Sequence, residues 1–413
     1  MANRFWVGGT DNWNGTAGTK WATTSGGTGG AAVPTSADDV YFDGSSGSGT
    51  VTITASINCK DLNCTGFTGT LAGSSRIDIY GSLITDSGMT WTATSYTAFN
   101  SSSSAVFDCQ LATELPLSAL GIFKTGGTLT LNSDMNITYT ASMYIQDGTV
   151  DFNDYNVTIG AITADAGTIN AGSGTHTING PFTSSISFQP PASLTFNAET
   201  STIVLDGGNN ERIFEGGGHT FYNVTIDSDG GWDEIIGGSN TFNTLTINGG
   251  VGDRTVRFAP STTQTVTNFI ADTDGTKIIY LKEQLIPNFD PNMTWATGDG
   301  VETMFSGPLN FGSVIPGSLY GETDVGAGPT SFSDDGVGNL TGSDVVSGSI
   351  DYVSGVIDIE FTAPVDNAAI VDISYSYSEP FVGYDLSKSS GTVSCSYLDI
   401  EWSNAGGGAS WYA

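Results

Sequence analysis

Along nearly the whole chain, apolar and polar residues alternate one by one in short runs. The runs stop at or near Gly, Asn or Asp. "DVYFD" (39–43), "TVTIT" (50–54), "SRIDIYGSL" (75–83), "GTVDFNDYNVTIGAIT" (148–163), "GTINAGSGTHTING" (167–180) and "STIVLD" (201–206) all read this way. A period of two places one face of an extended segment inward and the other outward, so these runs predict short strands. Helical spacing is almost absent. The best stretch, "CQLATELPLSAL" (109–120), is interrupted by Pro116, which ends or kinks a helix.

A second, longer period overlies the first. "TFYNVTI" starts at Thr220 and "TFNTLTI" at Thr241, 21 residues on; Phe221, Val224 and Ile226 recur as Phe242, Leu245 and Ile247. A third copy, "TVTNFIA", places Val266, Phe269 and Ala271 in the same slots, with Phe269 24 residues beyond Leu245. Independent hairpins need no such spacing, whereas stacked coils do. The pattern predicts a parallel β-helix whose rungs pair with their neighbours at ~4.8 Å, with Phe over Phe and Ile over Ile inside. A set of β-sandwich domains would explain the strands but not the 21-residue echo.

A solenoid needs its open end covered. Residues 1–38 carry Trp6, Trp13 and Trp21 in a Gly-rich stretch ahead of the first regular strand, and read as an N-terminal cap. Sugar stacking by exposed Trp is the alternative. Residues 39–299 read as the β-helix. From 300 to 381 the rhythm shortens: in "GSIDYVSGVIDIEF", Ile350 and Tyr352 precede a Ser-Gly turn, and Ile357, Ile359 and Phe361 follow it. "AAIVDISYSY" adds a strand with Val371, Ile373, Tyr375 and Tyr377 on one face. This stretch predicts a small antiparallel sandwich. Alternation on the earlier rhythm returns in 382–413, at Val393, Cys395 and Tyr397 and then Leu398, Ile400 and Trp402. The sandwich is therefore expected as an insertion before a terminal rung; a separate late domain is the competing arrangement. The expected fold class is all-β.

Composition agrees with strands and corners. Of 413 residues, 56 are Gly and only 13% are charged, so Ser, Thr, Asn and Gly must make most of the polar surface. Forty-three acidic against 11 basic residues leave a net charge of −32, which repels phosphate backbones and argues against nucleic acid as a partner. Solubility is the plain reading of that charge. No apolar run is long enough to span a membrane, and "ANRFWVGGTDNW" after Met1 has neither the basic start nor the apolar core of a secretion signal. Cys59, Cys64, Cys109 and Cys395 follow no disulfide or zinc spacing and read as small buried residues.

The two ends and the late insertion resemble known proteins. "RFWVGGTDNWNGTAGTKWATTSGGTGGAAVPTSADDVYFDG", with its W-x-G-G-T and V-P-T-S-A-D-D-V-x-F-D blocks, resembles the opening of a group of phage-encoded β-helix proteins, and "LSKSSGTVSCSYLDIEWSNAGGGASWYA" resembles their last rung. "VIPGSLY…DDGVGNLTG…GSIDYVSGVIDIEF…VDISYSY" resembles a β-sandwich module of phage tail and baseplate proteins. The middle of the chain matches only in texture. The resemblance implies a virion structural protein: a tail fibre, tailspike or related appendage, assembled in the host cytoplasm and carried in the particle. Other virion proteins and a host-surface glycan are the implied partners, and a homotrimer is implied by analogy. No catalytic residues come with it.

Little in the chain points to chemistry. His176 and His219 are the only histidines, both in strand-like runs, and no nucleophile elbow, H-E-x-x-H or P-loop is present. A carboxylate pair across a groove would make a polysaccharide depolymerase. Asp227, Asp229, Asp233 and Glu234, and Asp334 and Asp335, are the candidate acids, although solvated turns explain them more simply. "DSDGGWDE" (227–234) and "DTDG" (272–275) echo a Ca²⁺ loop without the full twelve-residue pattern, and turn chemistry accounts for them too. No other cofactor is indicated. Trp232 with Asp229, Asp233 and Glu234, between two repeats, is the place where binding is first expected. The leading expectation is a non-enzymatic virion appendage for host attachment or assembly. A depolymerase tailspike, a head-decoration protein and a bacterial adhesin-like passenger are the alternatives.

Overall fold

The computed structural model describes all residues except 1, 14–19, 182–183, 208–211, 228–232, 250–251, 274, 285–286, 311–312, 327, 379–383, 389, 401–402 and 407–413; side chains are also left undescribed at 285–292 and 401–413. The described residues form strands and turns, and none of them forms a helix long and apolar enough to cross a membrane. The chain divides into two compact units: residues 1–282 with 384–413, and residues 283–383.

The first unit is a parallel β-solenoid of about ten turns between residues 40 and 283. One column of pairings runs through Ile57–Cys59, Ile77–Ile79, Tyr96–Asn100, Ala119–Leu131, Ser142–Asp151, Ala161–Ala164 and Ser184–Phe188, all parallel. A facing sheet carries Thr175–Ile178, Thr202–Leu205, Thr220–Ile226, Thr241–Asn248 and Thr263–Asp272. Rung length drifts. Met143 faces Ile162, 19 residues on, while Ile162 faces Ile186, 24 residues on. Corners absorb part of the difference, and register shifts within the strands, at Ile122–Thr128 and Ser184–Ile186, absorb more.

The 21-residue echo is this register. Phe221 pairs with Phe242, Val224 with Leu245 and Ile226 with Ile247, and these continue to Val266, Phe269 and Ala271. All nine side chains are buried. The Phe221 and Phe242 rings stack with centroids 5.7 Å apart. Burying each large apolar side chain contributes about 1.5–3 kcal/mol, and stacking identical residues lets each rung repeat the packing of the one below. Some positive-φ glycines, Gly148, Gly167 and Gly172 among them, sit where successive rungs approach closely. At Gly167 (φ +93°) a Cβ would lie 2.3 Å from the Gly148 carbonyl oxygen, so only glycine fits.

Asn3–Trp6 adds to Asp39–Tyr41 in parallel and pairs antiparallel with Trp21–Ala22. Trp6, Trp13 and Trp21 are buried around Phe42, with Trp13 5.0 Å from Trp21 and 5.4 Å from Phe42. Their rings are covered and cannot stack on a sugar. The segment 109–120 forms no helix: Leu115 bridges Ile137, and a strand begins at Ala119.

The second unit has two antiparallel sheets, one of five strands and one of three. Val345–Asp351 and Val356–Phe361 form the hairpin expected around Ser354–Gly355. Ile357, Ile359 and Phe361 from the smaller sheet share one core with Phe332, Val371, Ile373 and Tyr375 from the larger. Pro287–Thr297 pairs antiparallel with Ile370–Ser378 at the edge of the five-stranded sheet, although the sequence boundary at 299 had counted it with the β-helix. Pro287 and Pro291 lack the N–H that a rung paired on both sides requires, and an edge strand tolerates that loss. Beyond this unit, Tyr384–Lys388 and Val393–Cys395 pair in parallel with Thr263–Asp272, and Leu398–Ile400 pairs with Ile279–Glu283.

Candidate functional site

Trp232 and Asp229 lie outside the described residues. Their neighbours Asp233 and Glu234 go separate ways, as successive residues entering a strand must. Asp233 points outward and pairs with Arg257 one rung on. Glu234 points inward, is 3% exposed, and its Oε1 lies 3.3 Å from Arg254 Nη1. Burial pushes the Glu234 carboxyl up to about 7, against the opposing pull of Arg254 and Arg212. Arg212 faces Glu234 in register, but its guanidinium donates to the carbonyls of Ile178 and Gly180. These charges form an internal network, and Asp233 and Glu234 do not converge on one surface.

The other sequence candidates are occupied structurally. Asp227 accepts from Asn248 Nδ2 at 2.8 Å. Asp334 is buried rather than solvated: Gly317 N–H, Gly336 N–H and Tyr352 O–H donate to Oδ1, and Leu319 N–H to Oδ2. Asp335 organises the same turn through Val337 and Asn339. His176 and His219 are buried with Nε2 2.8 Å from the carbonyls of Ala171 and Gln189, and burial lowers His176 to about 4. In "DTDG", Asp272 accepts from Ser394 and residue 274 lies outside the described residues. Cys59, Cys64 and Cys109 are buried, and burial raises their thiols. Among the described residues, no group of three or more His, Cys, Asp or Glu side chains could hold a metal ion.

The repeats themselves build a different site. Between the inward Phe221, Phe242 and Val266 and the next inward residues, two residues on each rung lie outside the core, and the first of each pair, Tyr222, Asn243 and Thr267, lines the groove. A second outward column, Thr220, Thr241 and Thr265, runs beside it. Opposite stand Asn170 and Asn197, which face each other in register, with Asn197 Nδ2 donating to Asn170 Oδ1 at 2.8 Å. Ala198 and Glu199 close that side. All of these except Thr265 line a groove of about 750 Å³ with Phe196, Phe221 and Phe242 at its base. Phe196 and Phe221 lie 4.9 Å apart, so the base is firmly packed. Tyr222 is 36% exposed.

Reading the repeat as a rod alone missed this groove. The signal was an aromatic residue at an outward position of an otherwise Thr- and Asn-rich rung. Among the described residues, Glu199 is the one carboxylate in the lining, and no Lys or Arg lines it. Comparison with protein-family models, curated proteins and solved structures found no match.

Proposed function

We propose that this chain is a structural protein of a bacteriophage particle, a tail-fibre- or tailspike-like appendage that mediates attachment to the host surface or assembly of the virion. The observation that carries this reading is the ladder of buried residues stacked through the described rungs of the parallel solenoid. Rungs that pair on both sides and share one apolar interior resist bending and local opening, which suits a part that must project and hold its form. The likeness of the two ends and the late sandwich to phage β-helix and tail proteins supplies the setting. Other virion proteins, a host-surface glycan and further copies of the chain are the proposed partners, and the virion is the proposed location.

A depolymerase is less well supported. Glycoside hydrolysis needs two carboxyl groups facing across the substrate, and among the described residues the groove presents Glu199 alone. Mass spectrometry of purified particles, with electron microscopy after labelling with an antibody to this chain, tests the proposal. Label on the tail or its tip supports the appendage; label on the head makes the chain a decoration protein. Absence from particles refutes both.

A further inference from the structure

We propose that the groove between Asn170–Asn197 and Tyr222–Asn243–Thr267 binds a neutral oligosaccharide and holds it uncleaved. The inference rests on the attachment reading and names its ligand class. Three observations point to it.

The lining offers the groups that neutral sugars use. Tyr222 presents part of an aromatic ring for stacking. Asn170, Asn197, Asn243, Thr220, Thr241 and Thr267 offer amides and hydroxyls that both donate and accept. Because each rung repeats the one below at ~4.8 Å, these groups recur along the groove, and a ligand built of repeating polyhydroxylated rings meets them again at each step. The volume of about 750 Å³ falls within the range of sites for extended small ligands, ~300–1,000 Å³.

Charge narrows the class. Among the described residues, Glu199 lines the groove without any basic residue, and the chain carries −32 overall. An anionic glycan or a nucleic acid would be repelled. A peptide that binds by adding a strand needs a free edge, but Asn223–Ile226 and the strand Thr241–Asn248 next to it are paired on both sides. Finally, among the described residues the lining holds one carboxylate, without the second that glycoside hydrolysis uses as acid or base, so the bound glycan stays intact.

The test is titration calorimetry of the full chain with cellohexaose, laminarihexaose, maltohexaose and mannohexaose, and with a galacturonate hexamer as the anionic counterpart. At least one neutral hexamer should bind and the galacturonate hexamer should not. Tyr222→Ala should weaken binding about tenfold or more, and Asn243→Ala should weaken it as well. Tyr144→Ala, at an exposed tyrosine outside the groove lining, should leave it unchanged. Equal thermal transitions of all variants show that the fold is kept. Failure of every neutral hexamer, preference for the anionic one, binding indifferent to Tyr222, or release of shorter sugars overturns the inference. Those results leave particle association standing, and absence of the chain from particles leaves groove binding standing, so the two readings fail separately.

Discussion

Glu234→Gln isolates the cost of a buried carboxylate inside the solenoid. Glu234 is 3% exposed, and its pKa rises from an ordinary 4.5 to about 7, chiefly because burial disfavours the ion. Arg254, 3.3 Å away, recovers only part of that cost, and Arg212 spends its hydrogen bonds on Ile178 and Gly180. A carboxyl whose folded pKa lies above its unfolded value stabilises the fold, relative to its ionised form, fully below pH ~4.5. That contribution is lost as pH rises through about 7. At ~1.4 kcal/mol for each pH unit, the loss amounts to about 3 kcal/mol. Glutamine keeps the shape and stays neutral, so the wild type and Glu234→Gln should have similar stability at pH 4. At pH 8.5 the variant should be about 3 kcal/mol more stable. Urea unfolding at pH 4, 5.5, 7 and 8.5, read as the difference between the two proteins, removes the titration of the other acids. Hydrogen exchange in Glu234–Gly237 checks that the change is local. A variant that is less stable at pH 8.5 would mean that the Arg254 pair outweighs burial, as happens when a buried pair is broken and the remaining charge is stranded. A difference that stays constant with pH would refute the raised pKa itself.

Three further outcomes follow from packing. Leu245→Ala removes a fully buried side chain between Val224 and Phe269 and should cost about 2–5 kcal/mol in urea unfolding, whereas its outward neighbour Thr246→Ala should stay within ~0.5 kcal/mol. Gly167→Ala forces a Cβ to 2.3 Å from the Gly148 carbonyl at a positive φ and should cost about 3 kcal/mol; Gly252→Ala, with no atom within 4 Å of the added Cβ, should be close to neutral by the same measurement. Asp334→Ala strands the N–H groups of Gly317, Gly336 and Leu319 and the Tyr352 hydroxyl, and should lower stability by about 2–3 kcal/mol. Exchange should quicken first in Tyr320–Val325 and Gly328–Asp334, while the solenoid strands keep their protection.

The period of two and the 21-residue echo settled which residues face inward and what lies over what. Phe221 over Phe242 and Val224 over Leu245 could be read directly, because rung stacking makes the inward requirement local and repetitive. The antiparallel hairpin at Val345–Phe361 was legible for a similar reason, since a short turn brings its own flanks together. Neighbours in the sequence were a poorer guide to a site. Asp233 and Glu234 looked like one cluster, but strand geometry sends one outward to Arg257 and the other inward to Arg254. Pro287–Thr297 fitted the β-helix as text, but pairs at the edge of the antiparallel sheet. Only the tertiary structure brought Asn170 and Asn197 opposite Tyr222 and Asn243. Alternation separates inward from outward positions, but it cannot say which side of the coil an outward residue occupies. That depends on corner lengths that change from rung to rung, so the groove exists only once the coils are wound and stacked.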